Sequence, residues 1–253
     1  METKTSIVLL IVLVISALVA AGCTGTQTPG TVTPTTPAMK TYIVGIDVPY
    51  PPFSFLDDKG NPTGFDVESI KWIADKEGFK VEFQQVAWDG IIPALEAKKI
   101  DMIYSGMTIT EERKQKVNFS IPYWVVNQDV VARWASNVTL NDVLAGKVIL
   151  GTQRGCTAGI WIEENLIGKG LMPAANLKYY DNTPLAVNDL EAGRIDAVMY
   201  DDISLKDMIQ GKAVKKIGFV ETREEFGIAV RKEDTELLAK LNDGLTKLKS
   251  DPY

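Results

Sequence analysis

One seven-residue stretch occurs almost twice in this chain, and it constrains the fold more than any other feature. Leu95-Glu-Ala-Lys-Lys-Ile-Asp101 and Leu190-Glu-Ala-Gly-Arg-Ile-Asp196 agree at five of seven positions. Each reads as the end of a helix, a turn and the start of an apolar strand. Either two common turns coincide, or the chain contains two similar lobes of roughly 100 residues, each with its own sheet. The surrounding pattern supports strand–helix alternation. Residues 42–46, 81–85, 101–104, 147–151, 178–181 and 195–200 read as strands. Residues 66–76, 89–98, 157–165, 183–192, 202–210 and 234–249 read as helices, with Asp66 as a cap, Gly78 as a stop and Pro93 confined to a first turn. The expected class is α/β, with two parallel-type sheets and flanking helices.

Composition narrows the chemistry. The 253 residues are 45% hydrophobic and 24% charged, which excludes a disordered or fibrous chain. A net charge of −6 argues against a nucleic-acid partner. There is no histidine, which removes His-based acid–base and nucleophile systems and most transition-metal sites. Two cysteines make neither a disulfide framework nor a Cys-rich zinc site. No cofactor or metal is expected.

The first 40 residues read as an address. Residues 7–21 are apolar except Ser16, too short for a membrane span of about 20 residues and suited to a signal-peptide core. Ala20-Ala21-Gly22-Cys23 resembles a lipobox, in which Cys23 is lipidated and becomes the new N-terminus; ordinary signal-peptidase cleavage is the alternative. Residues 24–38 include seven Thr and three Pro, a composition that stays solvated and, at ~3.1 Å per residue, reaches ~45 Å. Residues 1–22 are thus expected to be a signal peptide and 23–39 a lipid-anchored linker.

Ligands of open parallel sheets sit beyond the carboxyl ends of strands, and four segments fall there. Gly45-Ile-Asp-Val-Pro-Tyr-Pro-Pro-Phe-Ser-Phe55 carries three prolines in four residues, a rigid loop that presents Asp47 and Tyr50, with Phe53 as core. Val86-Ala-Trp-Asp-Gly-Ile-Ile-Pro-Ala-Leu95 places Trp88 at a strand-to-helix junction, as core filler or as a stacking surface. In Ser105-Gly-Met-Thr-Ile-Thr-Glu-Glu-Arg-Lys114, Gly106 permits close backbone approach, Thr108 offers a hydroxyl and Thr110 can cap a short helix carrying Arg113. Arg113 is either a surface residue or a fork for a carboxylate. Gly151-Thr-Gln-Arg-Gly-Cys-Thr157 is a turn into a helix N-terminus, suited to an anion but lacking a phosphate-loop lysine.

Together these segments, with Gly64-Phe-Asp-Val and Gly193-Arg-Ile-Asp-Ala-Val-x-x-Asp201, resemble the amino-acid-binding solute receptors of ABC importers, polar-amino-acid branch. The resemblance implies a periplasmic-binding-protein-like fold of two lobes, residues 40–124 with 226–253 and residues 125–225, joined by two crossover strands near 121–129 and 225–228. It implies that Arg113, Thr108 and the Thr157 N–H hold a ligand α-carboxylate. Asp201 and the Ser105 carbonyl take the α-ammonium, beside Gly106. Tyr50 and Trp88 sandwich the side chain, and Asp47 and Gln153 read its far end. Cys156 stands where the family usually has a hydroxyl, and Arg154 adds a cation that faces solvent or recruits an acidic ligand. The implied protein is a monomeric, lipid-anchored receptor on the extracytoplasmic face of the membrane. It would pass a polar L-amino acid, basic or amide, to ABC permease subunits without catalysing a reaction. A prephenate or arogenate dehydratase on the same fold is the enzymatic alternative, with Asp47 as its acid. A sensory input domain is disfavoured because no second membrane span or signalling domain follows in the sequence.

Overall fold

A computed structural model describes residues 39–251. The expected signal segment, Cys23 and the linker up to residue 38 lie outside the described residues.

The described residues open with β1 (Thr41–Ile46), pass a small hairpin of β2 (Phe55–Leu56) and β3 (Pro62–Thr63), and enter α1 (Phe65–Glu77). Then come β4 (Lys80–Gln85), α2 (Trp88–Glu96), β5 (Met102–Ile103), α3 (Glu111–Lys116) and β6 (Val117–Phe119). A second run follows: β7 (Trp124–Arg133), α4 (Leu140–Leu144), β8 (Leu150–Gln153), α5 (Thr157–Ile162), β9 (Leu177–Tyr180), α6 (Thr183–Glu191), β10 (Ala197–Asp201) and α7 (Asp202–Met208). The chain closes with β11 (Val214–Phe226), β12 (Ala229–Arg231) and α8 (Thr235–Ser250).

Among the described residues two five-stranded sheets result, in the orders β4-β1-β5-β12-β6 and β11-β7-β10-β8-β9. They are mixed rather than wholly parallel. β4, β1 and β5 run parallel, as do β10, β8 and β9. β12 is antiparallel to β5 and β6, and β7 is antiparallel to β10 and β11. The reason is connectivity: parallel neighbours need a covering helix between them. β7 and β12 have none, because each follows directly from a strand of the other sheet. The chain passes between lobes at these two places, between β6 and β7 and between β11 and β12. The repeated heptapeptide ends α2 ahead of β5 and α6 ahead of β10, equivalent places in the two lobes.

The first sheet is covered on both faces. Val44, Ile46, Met102 and Val230 pack on Ile70 and Ile73 of α1 and on Leu237, Leu241 and Leu245 of α8. Ile103 and Ala229 pack on Ile91 and Leu95 of α2. The second lobe has its own core around Leu150, Val198, Ala158, Ile162, Val187 and Leu190. Leu241 is fully buried; Leu241→Ala is expected to cost about 2–5 kcal/mol of stability, read as a lower denaturant midpoint with unchanged slope. No helix among the described residues is long and apolar enough to cross a membrane.

Local expectations are adjusted in four places. Gly64, not Asp66, caps α1: at its φ of 113° a Cβ would lie 2.4 Å from the Phe53 carbonyl, so only glycine fits the turn. Asp66 turns inward and accepts from the Gly106 N–H (2.8 Å) and the Tyr123 hydroxyl (3.1 Å). Pro93 lies inside α2, which starts one residue earlier than expected at Trp88. The helix from Thr157 changes at Glu163 into a wider π turn that closes at Ile167.

Candidate functional site

The strand ends converge. β1 delivers Asp47 and Tyr50, β5 delivers Ser105, Gly106 and Thr108, and α3 carries Arg113. From the other lobe, α5 begins after Cys156 at Thr157, and β10 ends at Tyr200-Asp201. Together with Trp88, these residues line one cavity. Of the sequence-predicted contacts only Gln153 does not border it.

Arg113 and Asp201 are the charged extremes, 7% and 8% exposed. Arg113 is placed by local chemistry: Thr110 caps α3 by accepting the Arg113 N–H (3.1 Å). Its guanidinium donates to the carbonyls of Thr108 (2.9 Å) and Gly155 (3.2 Å), so it bridges the lobes. The Trp88 ring lies under it at 5.3 Å, a cation–π contact, and the Trp88 indole N–H also reaches Gly155 O (3.0 Å). Burial lowers the Arg113 pKa, while the neighbouring acids Glu224 and Asp201 oppose that. It stays charged.

Asp201 accepts from Tyr50 Oη and from Gln128 Nε2, both at 2.7 Å. Burial, and then Glu224 nearby, push its pKa up to about 7. Gln128 and Glu224 were missed by the sequence reading. Gln128 is fully buried and also donates to Glu224 (2.9 Å), whose other oxygen accepts from the Thr108 hydroxyl (3.0 Å). Both lie on the crossing strands β7 and β11. The available signal was the polar run Asn127-Gln128-Asp129 inside an otherwise apolar strand.

Tyr50 is 3% exposed and stacks on Phe53 at 5.3 Å. Tyr50 and Trp88 therefore each have one face already taken by a protein partner. Gly106 sits at φ 59°, where a Cβ would lie 2.3 Å from the Tyr50 ring; Gly106→Ala is expected to displace that ring, measurable as altered tyrosine fluorescence and weakened ligand binding. Cys156 Sγ packs 3.2 Å from Thr152 Oγ1, and burial pushes its thiol up to about 11, which makes it an inert wall.

At the far end Asp47 is 9% exposed and accepts from Gln153 Nε2 at 2.7 Å; burial pushes its carboxyl up to about 6. Gln153 stands behind Asp47 because its amide N–H groups are engaged by Asp47 and by the Asp181 carbonyl (3.2 Å). Arg154 faces outward, half exposed, 3.9 Å from Asp89 and 5.7 Å from the Tyr179 ring. It does not border the cavity, so the acidic-ligand option loses the residue that suggested it.

Two α/β lobes that enclose a polar cavity between opposed buried charges define a solute-binding architecture. Residues 42–253 match the bacterial extracellular solute-binding proteins, family 3, and the chain belongs to that family. The L-cystine-binding protein TcyJ of Escherichia coli is 32% identical over 215 residues, covering 83% of this chain and 78% of that protein. A probable histidine-binding protein of Neisseria gonorrhoeae is 34% identical over 238 residues, covering 92% and 87%. The structure of an ancestral arginine-binding protein bound to arginine is 39% identical with a TM-score of 0.77, covering 83% of this chain and 93% of that one. The fold is accordingly the two-lobed periplasmic-binding-protein-like one.

Proposed function

We propose that this chain captures a free polar L-amino acid outside the cytoplasm and passes it to an ABC permease, without chemical turnover. The observation that carries this is the opposition of Arg113 and Asp201, both buried, of opposite sign, lining one cavity from different lobes. A zwitterion entering such a cavity loses its hydration, and each end then needs a hydrogen-bonded partner of opposite charge. Arg113, with Thr108 and the Thr157 N–H, serves the carboxylate. Asp201, with the Ser105 carbonyl beside Gly106, serves the ammonium. Tyr50, Trp88 and Cys156 form the walls along the side chain, and Asp47, backed by Gln153, meets its far end. Because each half-site is incomplete alone, ligand favours closure. The relatives named for cystine, histidine and arginine all bind amino acids, and Asp47 favours a basic or amide side chain here. We read the lobes as residues 40–124 with 226–253 and residues 125–225.

In this reading residues 1–22 are removed, Cys23 is acylated, and residues 23–39 tether a monomeric receptor to the outer face of the membrane. Mass spectrometry of the membrane-extracted protein should show a diacylglyceryl adduct on Cys23; an unmodified Cys23 in the membrane fraction overturns the anchor.

A thermal-shift screen against the twenty amino acids tests the binding claim. The cognate ligand at 100 times its Kd is expected to stabilise the protein by about 2.7 kcal/mol. Silence for all twenty removes the reading. Turnover of prephenate, followed by phenylpyruvate absorbance, would replace it with the enzymatic one.

A further inference from the structure

Tyr200 borders the cavity, is 5% exposed, and has no part in the scheme above. Its hydroxyl donates to Gln153 Oε1 at 2.7 Å. The Gln153 amide is therefore bounded on three sides: a phenol donor faces its oxygen, and the Asp47 carboxylate (2.7 Å) and the Asp181 carbonyl (3.2 Å) face its nitrogen. A flipped amide would set its oxygen against two other oxygens and its N–H groups against a donor, so only one orientation satisfies the network. The consequence reaches the cavity. Both Gln153 hydrogens are engaged, and Asp47 is held as an acceptor with lone pairs left over.

We propose that Tyr200 sets the side-chain selectivity of the site by acting through Gln153: it fixes the amide so that the far end of the cavity presents acceptors alone. This rests on the amino-acid reading above and sharpens it. A guanidinium or ammonium, which only donates, satisfies such an end. A glutamine amide brings a carbonyl that finds no donor there, and a side-chain carboxylate finds none either. Buried polar groups left unpaired are what separate close analogues in binding sites. Tyr200 is a positioning residue in this scheme, because its hydroxyl is turned to Gln153. The segment Ala197-Val-Met-Tyr-Asp201 is buried throughout, which is why its sequence reads as core and conceals Tyr200.

The test compares arginine and glutamine by calorimetry, at pH 8, on the wild type, Tyr200→Phe, Gln153→Leu and the double variant. The wild type should bind arginine more tightly. Tyr200→Phe leaves the Gln153 oxygen without its donor and loosens the amide that holds Asp47 in place as an acceptor, so the arginine-to-glutamine affinity ratio should fall about tenfold. In the Gln153→Leu background the same substitution should change the ratio less than twofold, because the relay is already cut. A purely structural Tyr200, which also meets the Tyr50 ring edge-on at 6.0 Å, would weaken both ligands alike. Equal losses, an undiminished effect without Gln153, or a wild type that prefers glutamine or binds only other amino acids overturns the proposal while leaving amino-acid binding intact. A wild type that binds no amino acid at all overturns the functional reading instead.

Discussion

Asp201→Asn should reduce amino-acid affinity by about two to three orders of magnitude while leaving the free protein folded and, at pH 8, more stable than wild type. The two halves of that result have one cause. Asp201 is buried beside Glu224 and shares the Gln128 amide with it. With ligand bound, the ammonium compensates the carboxylate; removing one partner of a buried pair costs about 3–5 kcal/mol, and each 1.4 kcal/mol is about tenfold in affinity. Without ligand, ionised Asp201 is a burden. Its folded pKa of about 7 lies above its ordinary value, so the native state binds the extra proton, and stability is lost as pH rises from about 4 through 7. Asparagine removes that loss and keeps the network, since its oxygen can accept from Gln128 and its amide can donate to Tyr50. Arg113→Met should weaken binding comparably but without the gain in stability, because it leaves the buried Thr108 carbonyl without its donor and takes from Gly155 O one of its two, Trp88 remaining. Calorimetric titration and thermal unfolding at pH 8 check both variants. Affinities within tenfold of wild type for both would remove the proposed charge pair from the site.

What the sequence revealed and what it hid have physical explanations. Asp47, Tyr50, Ser105-Gly106 and Asp201 were legible because they end short apolar strands, and strand ends converge at ligand clefts in α/β sheets. The helix that carries Arg113 was legible through its cap, since Thr110 with Glu111 and Glu112 announces a helix start and α3 begins there, but local sequence left Arg113 either on the surface or on a carboxylate, and only the family resemblance pointed to the latter. The crossing strands were harder. β11 carries Lys215, Lys216, Glu221, Arg223 and Glu225 in a strand that edges its sheet, so it reads as a solvated segment. Its register on β7 also slips between Val220 and Glu224. The slip places Glu224 against Thr108 and Gln128, a contact between residues 96 and 116 apart that no local pattern encodes. A direct ligand contact by Gln153 is implied by the family resemblance alone. Its burial behind Asp47 depends on Asp181 and Tyr200, which belong to other strands. Sheet polarity was overstated because helix–strand alternation reports each lobe's own strands, while β7 and β12 come from the neighbouring lobe.

The pH profile of binding is the second large effect, and its sign follows from the burial of both acids. In the free protein burial holds Asp201 at about 7, with Glu224 and Asp202 adding to the rise and the Tyr50 and Gln128 hydrogen bonds opposing it. Burial holds Asp47 at about 6, with Asp89 adding and Gln153 opposing. The α-ammonium needs ionised Asp201, so below pH 7 each molecule of ligand must first displace a proton. Affinity should therefore be flat near pH 8 and fall about tenfold per pH unit below 7. Between pH 8 and 5 that amounts to about 10²-fold for a ligand with a neutral side chain. A cationic side chain that also needs ionised Asp47 should lose about a further tenfold. Calorimetry at pH 6.5 in buffers of different ionisation enthalpy should register release of most of one proton per ligand. Glu224→Gln should shift the whole profile to lower pH, because it removes the nearest like charge from Asp201 while keeping an acceptor for Gln128. An affinity independent of pH between 5 and 8, or proton uptake on binding, would mean that Asp201 enters the complex already ionised or does not touch the ammonium at all.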